Sequence, residues 1–226
     1  MTRETLDRKM QELMDEILVL GSMVEEAILE SVDALKRRDL AASQQLYKND
    51  RLINEKRFQI EENTITLIAT QQPMARDLRI MASILDVASE LERMGDYAKG
   101  IAHINIMIGD QPLIKPLIDV PRMAELTTDM LHRALGAFVG ADTEQAWAIP
   151  KEDDQVDNLY NQVYRELLTY MIADPSTIDN ATYLLWVAHN LERTADRVTN
   201  ICERTIFVTT GELAEIKSSD DEQESI

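Results

Sequence analysis

One cysteine, seven glycines and six prolines in 226 residues leave this chain little material for disulfides or tight turns. A single thiol closes no internal bridge. Cys202 also falls on an apolar helical stripe, so it reads as a small core residue in a reducing compartment. Positive charge is scarce too: 23 Lys and Arg against 41 Asp and Glu give a net charge of −18. A surface this acidic argues against phosphate-backbone contacts, and so against direct binding of nucleic acid. No window approaches the ~20 apolar residues of a bilayer span, and Met1 to Met10 holds no apolar signal core. The expected location is the cytoplasm. What is present is a hydrophobic content of 45%, enough for real cores in one large or two small domains.

The few helix breakers are bunched, which predicts long helices between them. Thr5 to Arg38 carries Leu6, Met10, Leu13, Ile17, Leu20, Val24, Ala27, Ser31 or Val32, and Leu35 in a sustained three-four pattern, the period of one helix face. Asp39 reads as the N-cap of a second helix running to about Thr70. Gln71-Gln72-Pro73 breaks the chain, with Pro73 expected in the first turn of a third helix that ends near Gly109. Pro112, Pro116 and Pro121 mark a linker over 110–121. A fourth helix is expected from Arg122 to about Val139. Asp142 caps a fifth, kinked at Pro150 and closed by Asp174-Pro175, and Ser176 opens a sixth that fails at Gly211. The acidic stretch from Glu215 to Ile226 reads as disordered.

Organisation comes from a duplication. Val87-Ala88-x-x-Leu91-Glu92-Arg93-x-x-Asp96-x-x-x-x-Ile101 recurs one hundred residues later from Val187 to Ile201, identical at seven positions. Glu92 and Asp96 lie four apart on a helix, as do Glu192 and Asp196, so each pair stands one above the other with Cβ atoms roughly 5–6 Å apart. Stacked carboxylates repel, and must be solvated, paired with a cation or filled by a metal. Upstream, Asp50-x-x-Ile53-Asn54 matches Asp153-x-x-Val156-Asp157. Each half therefore reads as three helices, over 1–109 and 122–214, with an acidic tail over 215–226. Antiparallel neighbours would bring the two acidic pairs of each half together on adjacent helices.

The doubled Leu-Glu-Arg-x-x-Asp, the upstream Asp-x-x-(Ile/Val)-(Asn/Asp), and the Gln72-Pro73-x-x-x-Asp77-Leu78-Arg79 connection resemble the PhoU family over about Thr5 to Thr210. The resemblance implies an all-α fold of two tandem three-helix bundles and a cytoplasmic, usually dimeric protein. It also implies negative regulation of the phosphate-starvation (Pho) response. Its implied partners are the phosphate-sensing histidine kinase and the ATPase of the phosphate-specific ABC transporter. Some members carry iron or other metals on these motifs, which makes iron, manganese, zinc or magnesium the candidate cofactors. The implied ligands are Asp50, Asn54, Glu92 and Asp96 in one half, and Asp153, Asp157, Glu192 and Asp196 in the other. Asn54 replaces an acid, which should weaken hard-cation binding in the first half. Ala195 stands in place of Gly95, and Asp77-Leu78-Arg79 has no second copy.

Other residues carry less. Arg93 and Arg193 sit about 100° round the helix from the neighbouring glutamates and are expected to pair with adjacent helices. His103 reads as a surface histidine. His189 and Glu192 form H-x-x-E, the reverse of the step used in ferritin-like di-iron sites, and no role is read for His132. Trp147, near the Pro150 kink, would make a good partner anchor if partly exposed, and Trp186 is expected to be buried. With no nucleophile–base pair and no glycine-rich phosphate loop, a regulatory adaptor is favoured over an enzyme. The alternatives are a metal-dependent phosphohydrolase and a metal-binding scaffold.

Overall fold

The computed structural model describes residues 3–216, and among these every regular element is helical. The first half is α1 (Arg3–Arg37), α2 (Leu40–Gln71) and α3 (Ala75–Ile108). The second is α4 (Asp119–Gly140), a short α5 (Thr143–Ala148), a 3₁₀ turn (Ile149–Glu152), α6 (Asp153–Ala173), a second 3₁₀ turn (Pro175–Thr177) that takes up Ser176, and α7 (Ile178–Thr210). The fold is two three-helix bundles in tandem, as the repeat predicts. Among the described residues no helix is long and apolar enough to cross a membrane.

Turn chemistry sets the helix ends. Asp39 caps α2 by accepting from the Ala42 N–H at 2.8 Å, after Arg38 has reversed the chain at φ 59°. Beneath this turn lies Asn105 of α3, fully buried. Its Nδ2 donates to Ser43 Oγ at 2.8 Å and to the Ala34 and Asp39 carbonyls, while Arg38 donates to its Oδ1. Pro73 stands outside α3 rather than in its first turn: Gln72 is left-handed and Met74 extended, so the helix begins at Ala75. Arg3 closes that corner, donating to both oxygens of the buried Asp77 at 2.6 and 3.0 Å.

In the second half α4 starts at Asp119, three residues before the expected Arg122, with Pro121 in its first turn where no N–H is required. Asp142 caps α5 through the Gln145 N–H. Pro150 does more than kink the next helix. It sits at the start of the 3₁₀ turn, and α6 begins only at Asp153. Arg133 of α4 holds that turn with two bonds to Glu152, at 2.8 and 2.6 Å. Gly211 ends α7 at φ 81°. Most of the tail read as disordered lies outside the described residues; Ile216 packs on the core and donates its N–H to Glu203.

The halves join through α3 and α7, which run antiparallel about a local pseudo-dyad near Gly95 and Ala195. Asp86 meets Arg204, Glu90 meets Arg197 and Asn200, and Gly100 meets Asn190. Alongside, α1 packs on α4 so closely that a Cβ on Gly21 would lie 2.1 Å from Leu135 Cδ1. One apolar cluster runs through both halves, including Ile17, Leu20, Ile60, Ile84, Leu91, Leu131, Phe138, Leu184 and Leu191. Each such large side chain, fully buried, contributes about 1.5–3 kcal/mol. With α3 and α7 back to back, each acidic motif faces the middle helix of its own half.

Candidate functional site

Glu92 and Asp96 of α3 face Asp50 of α2, which is only 6% exposed. Burial, then Asp96, pushes the Glu92 carboxyl upward, with Asp50 adding to the effect and Arg57 and Arg93 opposing it. A lysine sits among these acids. Lys99 donates to Asp50 Oδ2 at 2.7 Å and Asp96 Oδ1 at 3.4 Å, and its ammonium lies 5.5 Å from the centre of the Tyr47 ring. The bond to Asp50 raises the Lys99 ammonium above its ordinary value. Asn54 donates to the same Asp50 oxygen at 3.0 Å. The four residues predicted in this half therefore share one cluster, with a cation the sequence reading did not single out.

The second half repeats the acids without the lysine. Glu192 and Asp196 of α7 face Asp153, 5% exposed at the start of α6. Burial raises the Asp153 carboxyl to about 7, helped by Asp157, Asp196, Glu192 and Asp154 in that order. Burial and then Asp196 raise Glu192 to about 7, against Arg193. Asp196 is also raised by burial, with Arg193, Arg197 and His189 opposing. Oδ1 of Asp153 is buried with no hydrogen-bond partner. Oε2 of Glu192 lies 3.1 Å from His189 Nδ1 yet makes no hydrogen bond.

Crowded carboxylates, oxygen donors only, and a buried unpartnered oxygen are what a hard divalent cation requires, and Asp153, Asp157, Glu192 and Asp196 fit one. Among the described residues no three acidic, histidine or cysteine side chains close into a ready cage. A cation held here would draw these side chains inward and complete its shell with water. The first cluster is different: a lysine ammonium stands between two of its carboxylates, on two helices, whereas in the second Arg193 bonds Asp196 of its own helix.

Several neighbours differ from expectation. Arg93 pairs with Glu90 at 3.1 Å and Arg193 with Asp196 at 3.0 Å, each on its own helix, where an i,i+3 step is within easy reach. Trp186 is 48% exposed, not buried: the core-facing stripe of α7 runs through Leu184, Ala188 and Leu191, and a position between them turns outward beside Tyr183. Trp147 is 45% exposed, which meets the condition for a partner anchor. His103 is exposed and stands against Tyr47, and His132 lies 3.4 Å from Glu25. Lys99 was within reach of the repeat itself: comparing the copies position by position sets it against Thr199.

Fold and site together define a class, the duplicated three-helix bundle with a Glu-x-x-x-Asp motif on the last helix of each half. The PhoU domain family matches residues 17–104 and again 120–205. The chain is 34% identical to the phosphate-specific transport system accessory protein PhoU homolog of Clostridium acetobutylicum over 96% of this chain and 99% of that one. It is likewise 34% identical to the homolog of Aquifex aeolicus, over 92% and 94%. Among solved structures, the phosphate transport system regulatory protein PhoU from Streptococcus pneumoniae superposes with a TM-score of 0.86 at 32% identity, over 93% of this chain and 100% of that one. PhoU from Pseudomonas aeruginosa gives 0.85 at 30% identity, over 91% and 99%. The chain belongs to the PhoU family.

Proposed function

We propose that this protein is a regulatory accessory subunit of phosphate-specific transport. In this reading it restrains the phosphate-starvation response by linking the transporter ATPase to the phosphate-sensing histidine kinase. The observation that carries the reading is the match of both halves to relatives named for that system, over nearly their full length. Long helical faces suit an adaptor, which recognises partners by helix packing rather than by chemistry on a substrate. The protein works in the cytoplasm as a homodimer and catalyses no reaction.

A divalent cation belongs to this proposal at the second cluster, held by Asp153, Asp157, Glu192 and Asp196. When bound it neutralises their mutual repulsion and ties α6 to α7. The support is the buried, unpartnered Asp153 oxygen among like charges.

The test pairs genetics with binding. Deleting the gene should switch on phosphate-starvation genes in phosphate-rich medium, and purified protein should retain the kinase or the transporter ATPase in a pull-down. If neither effect is seen, the adaptor reading falls. Metal-dependent turnover of a generic phosphomonoester would replace it with a hydrolase.

A further inference from the structure

We propose that Lys99 is the resident cation of the first acidic cluster, so that this half is closed to a divalent metal and only the second half takes one. The inference rests on the cation reading of the second cluster given above. Asp50, Glu92 and Asp96 supply three carboxylates and Lys99 one ammonium that bridges two of them, against four carboxylates in the second cluster, where Thr199 stands in place of the lysine and Arg193 bonds Asp196. The lysine is seated, not adjacent by accident. It bonds Asp50 at 2.7 Å and reaches Asp96 at 3.4 Å, with Tyr47 packed over it.

The seat comes and goes as a unit. Asp50, Glu92 and Asp96 have the counterparts Asp153, Glu192 and Asp196, but Tyr47 is matched by Pro150 and Lys99 by Thr199. Asn54, where the second half has Asp157, turns its amide toward Asp50 and so contributes a donor, not a metal ligand. Asp50 keeps one buried oxygen without a partner, Oδ1. Its other oxygen is taken by Lys99 and Asn54, and Lys99 also reaches Asp96, so a hard cation would find two of the three carboxylates already engaged.

Access does not explain the difference. A groove of ≈290 Å³ between α1, α2 and α3 opens onto Asp50 and Lys99, so an ion could arrive. On arrival it would meet a compact point charge bonded to a buried carboxylate and would have to displace it. At the second cluster an arriving ion meets the buried, unpartnered Oδ1 of Asp153 and has no lysine to displace, although Arg193 bonds Asp196.

The experiment counts Mn²⁺ bound to the full chain by electron paramagnetic resonance, for the wild type and four variants. The wild type should bind about one Mn²⁺ per chain, kept in Asp50→Asn and lost in Asp153→Asn with Glu192→Gln. Thr199→Lys, which transplants the ammonium, should abolish that binding. Lys99→Met with Asn54→Asp should gain a second Mn²⁺, and should show a Tm that falls in EDTA and recovers on adding Mn²⁺.

Two ions in the wild type, one of them lost in Asp50→Asn, would overturn the role of Lys99 and leave the second cluster intact. A folded Lys99→Met, Asn54→Asp protein that gains none, or a Thr199→Lys protein that still binds Mn²⁺, would overturn it as well. No ion in the wild type but one in the Lys99→Met, Asn54→Asp protein would overturn the second-cluster reading and keep the lysine. If that variant fails to fold, Thr199→Lys and the wild-type count decide the matter.

Discussion

Arg197 of α7 and Glu90 of α3 meet where the two halves join, Nη1 to Oε2 at 3.1 Å, with side-chain exposures of only 19% and 13%. Asn200 donates to the same Glu90 oxygen at 3.0 Å, and Arg93 bonds the other. One carboxylate thus gathers three donors from two helices. Glu90→Ala would leave those donors without their acceptor and should lower the unfolding free energy by about 2 kcal/mol. Urea denaturation measures this. A loss indistinguishable from zero would mean that this carboxylate adds nothing to the joint between the halves.

Two helical glycines should respond to added side chains with opposite signs. Around Gly136 nothing lies within 4 Å of an added Cβ, so Gly136→Ala should stabilise by about 0.5–1 kcal/mol through helix propensity alone. At Gly21 the added Cβ would lie 2.1 Å from the buried Leu135, so Gly21→Val should destabilise by about 1–3 kcal/mol. Leu135→Ala in the same chain should recover part of that loss. A double-mutant cycle with no coupling would place the strain elsewhere.

Asn105 holds the α1–α2 turn from below with three donated contacts and one accepted. Asn105→Ala would leave the Ser43 hydroxyl and two carbonyls without that donor, at a cost of about 2–3 kcal/mol. Hydrogen exchange should quicken first around Asp39 to Ser43. Uniform quickening across the chain would show that the turn has no separate stability.

In metal-free buffer the second cluster gives the chain an unusual response to acid. Asp153 and Glu192 titrate near 7 in the folded protein, pushed up by burial and by neighbouring acids, against about 4 in an unfolded chain. A carboxyl with a raised folded pKa holds its proton more tightly when folded, so stability rises as pH falls through 7 toward the unfolded value. Tm in EDTA should therefore be higher at pH 6 than at pH 8.5. Asp153→Asn should raise Tm at pH 8.5 and flatten the profile. Saturating Mn²⁺ should reverse the trend, because it favours the ionised form. A Tm that falls between pH 8.5 and pH 6 in EDTA would contradict the crowding.

The helices were legible because their signals are local. The stripe from Leu6 to Leu35, the Asp39 and Asp142 caps and the Gly211 stop each act within a few residues. The clusters were legible because the chain wrote them twice. Pro73 and Pro150 were read in the right places with the wrong geometry, since whether a proline begins a helix or precedes it depends on the φ of its neighbours. Arg93, Arg193 and Trp186 depended on which way a side chain turns when two directions lie open, and adjacent spacing does not decide that. Lys99, Glu90 and Asn105 belong to a third kind: each is an ordinary polar residue in sequence, and only a partner 49 to 110 positions away makes it a hub.

Trp147 and Trp186 are the protein's two tryptophans; both lie in the second half and both are about half exposed. Indole emission from this chain is therefore a voice from one bundle only, the one whose acids stand without a lysine. Tyr47, by contrast, stands over Lys99 in the other bundle. Excited at the red edge of its absorption, the molecule reports on its second half while the first stays dark. A titration followed by intrinsic fluorescence thus separates the twins of a duplicated fold with no label attached.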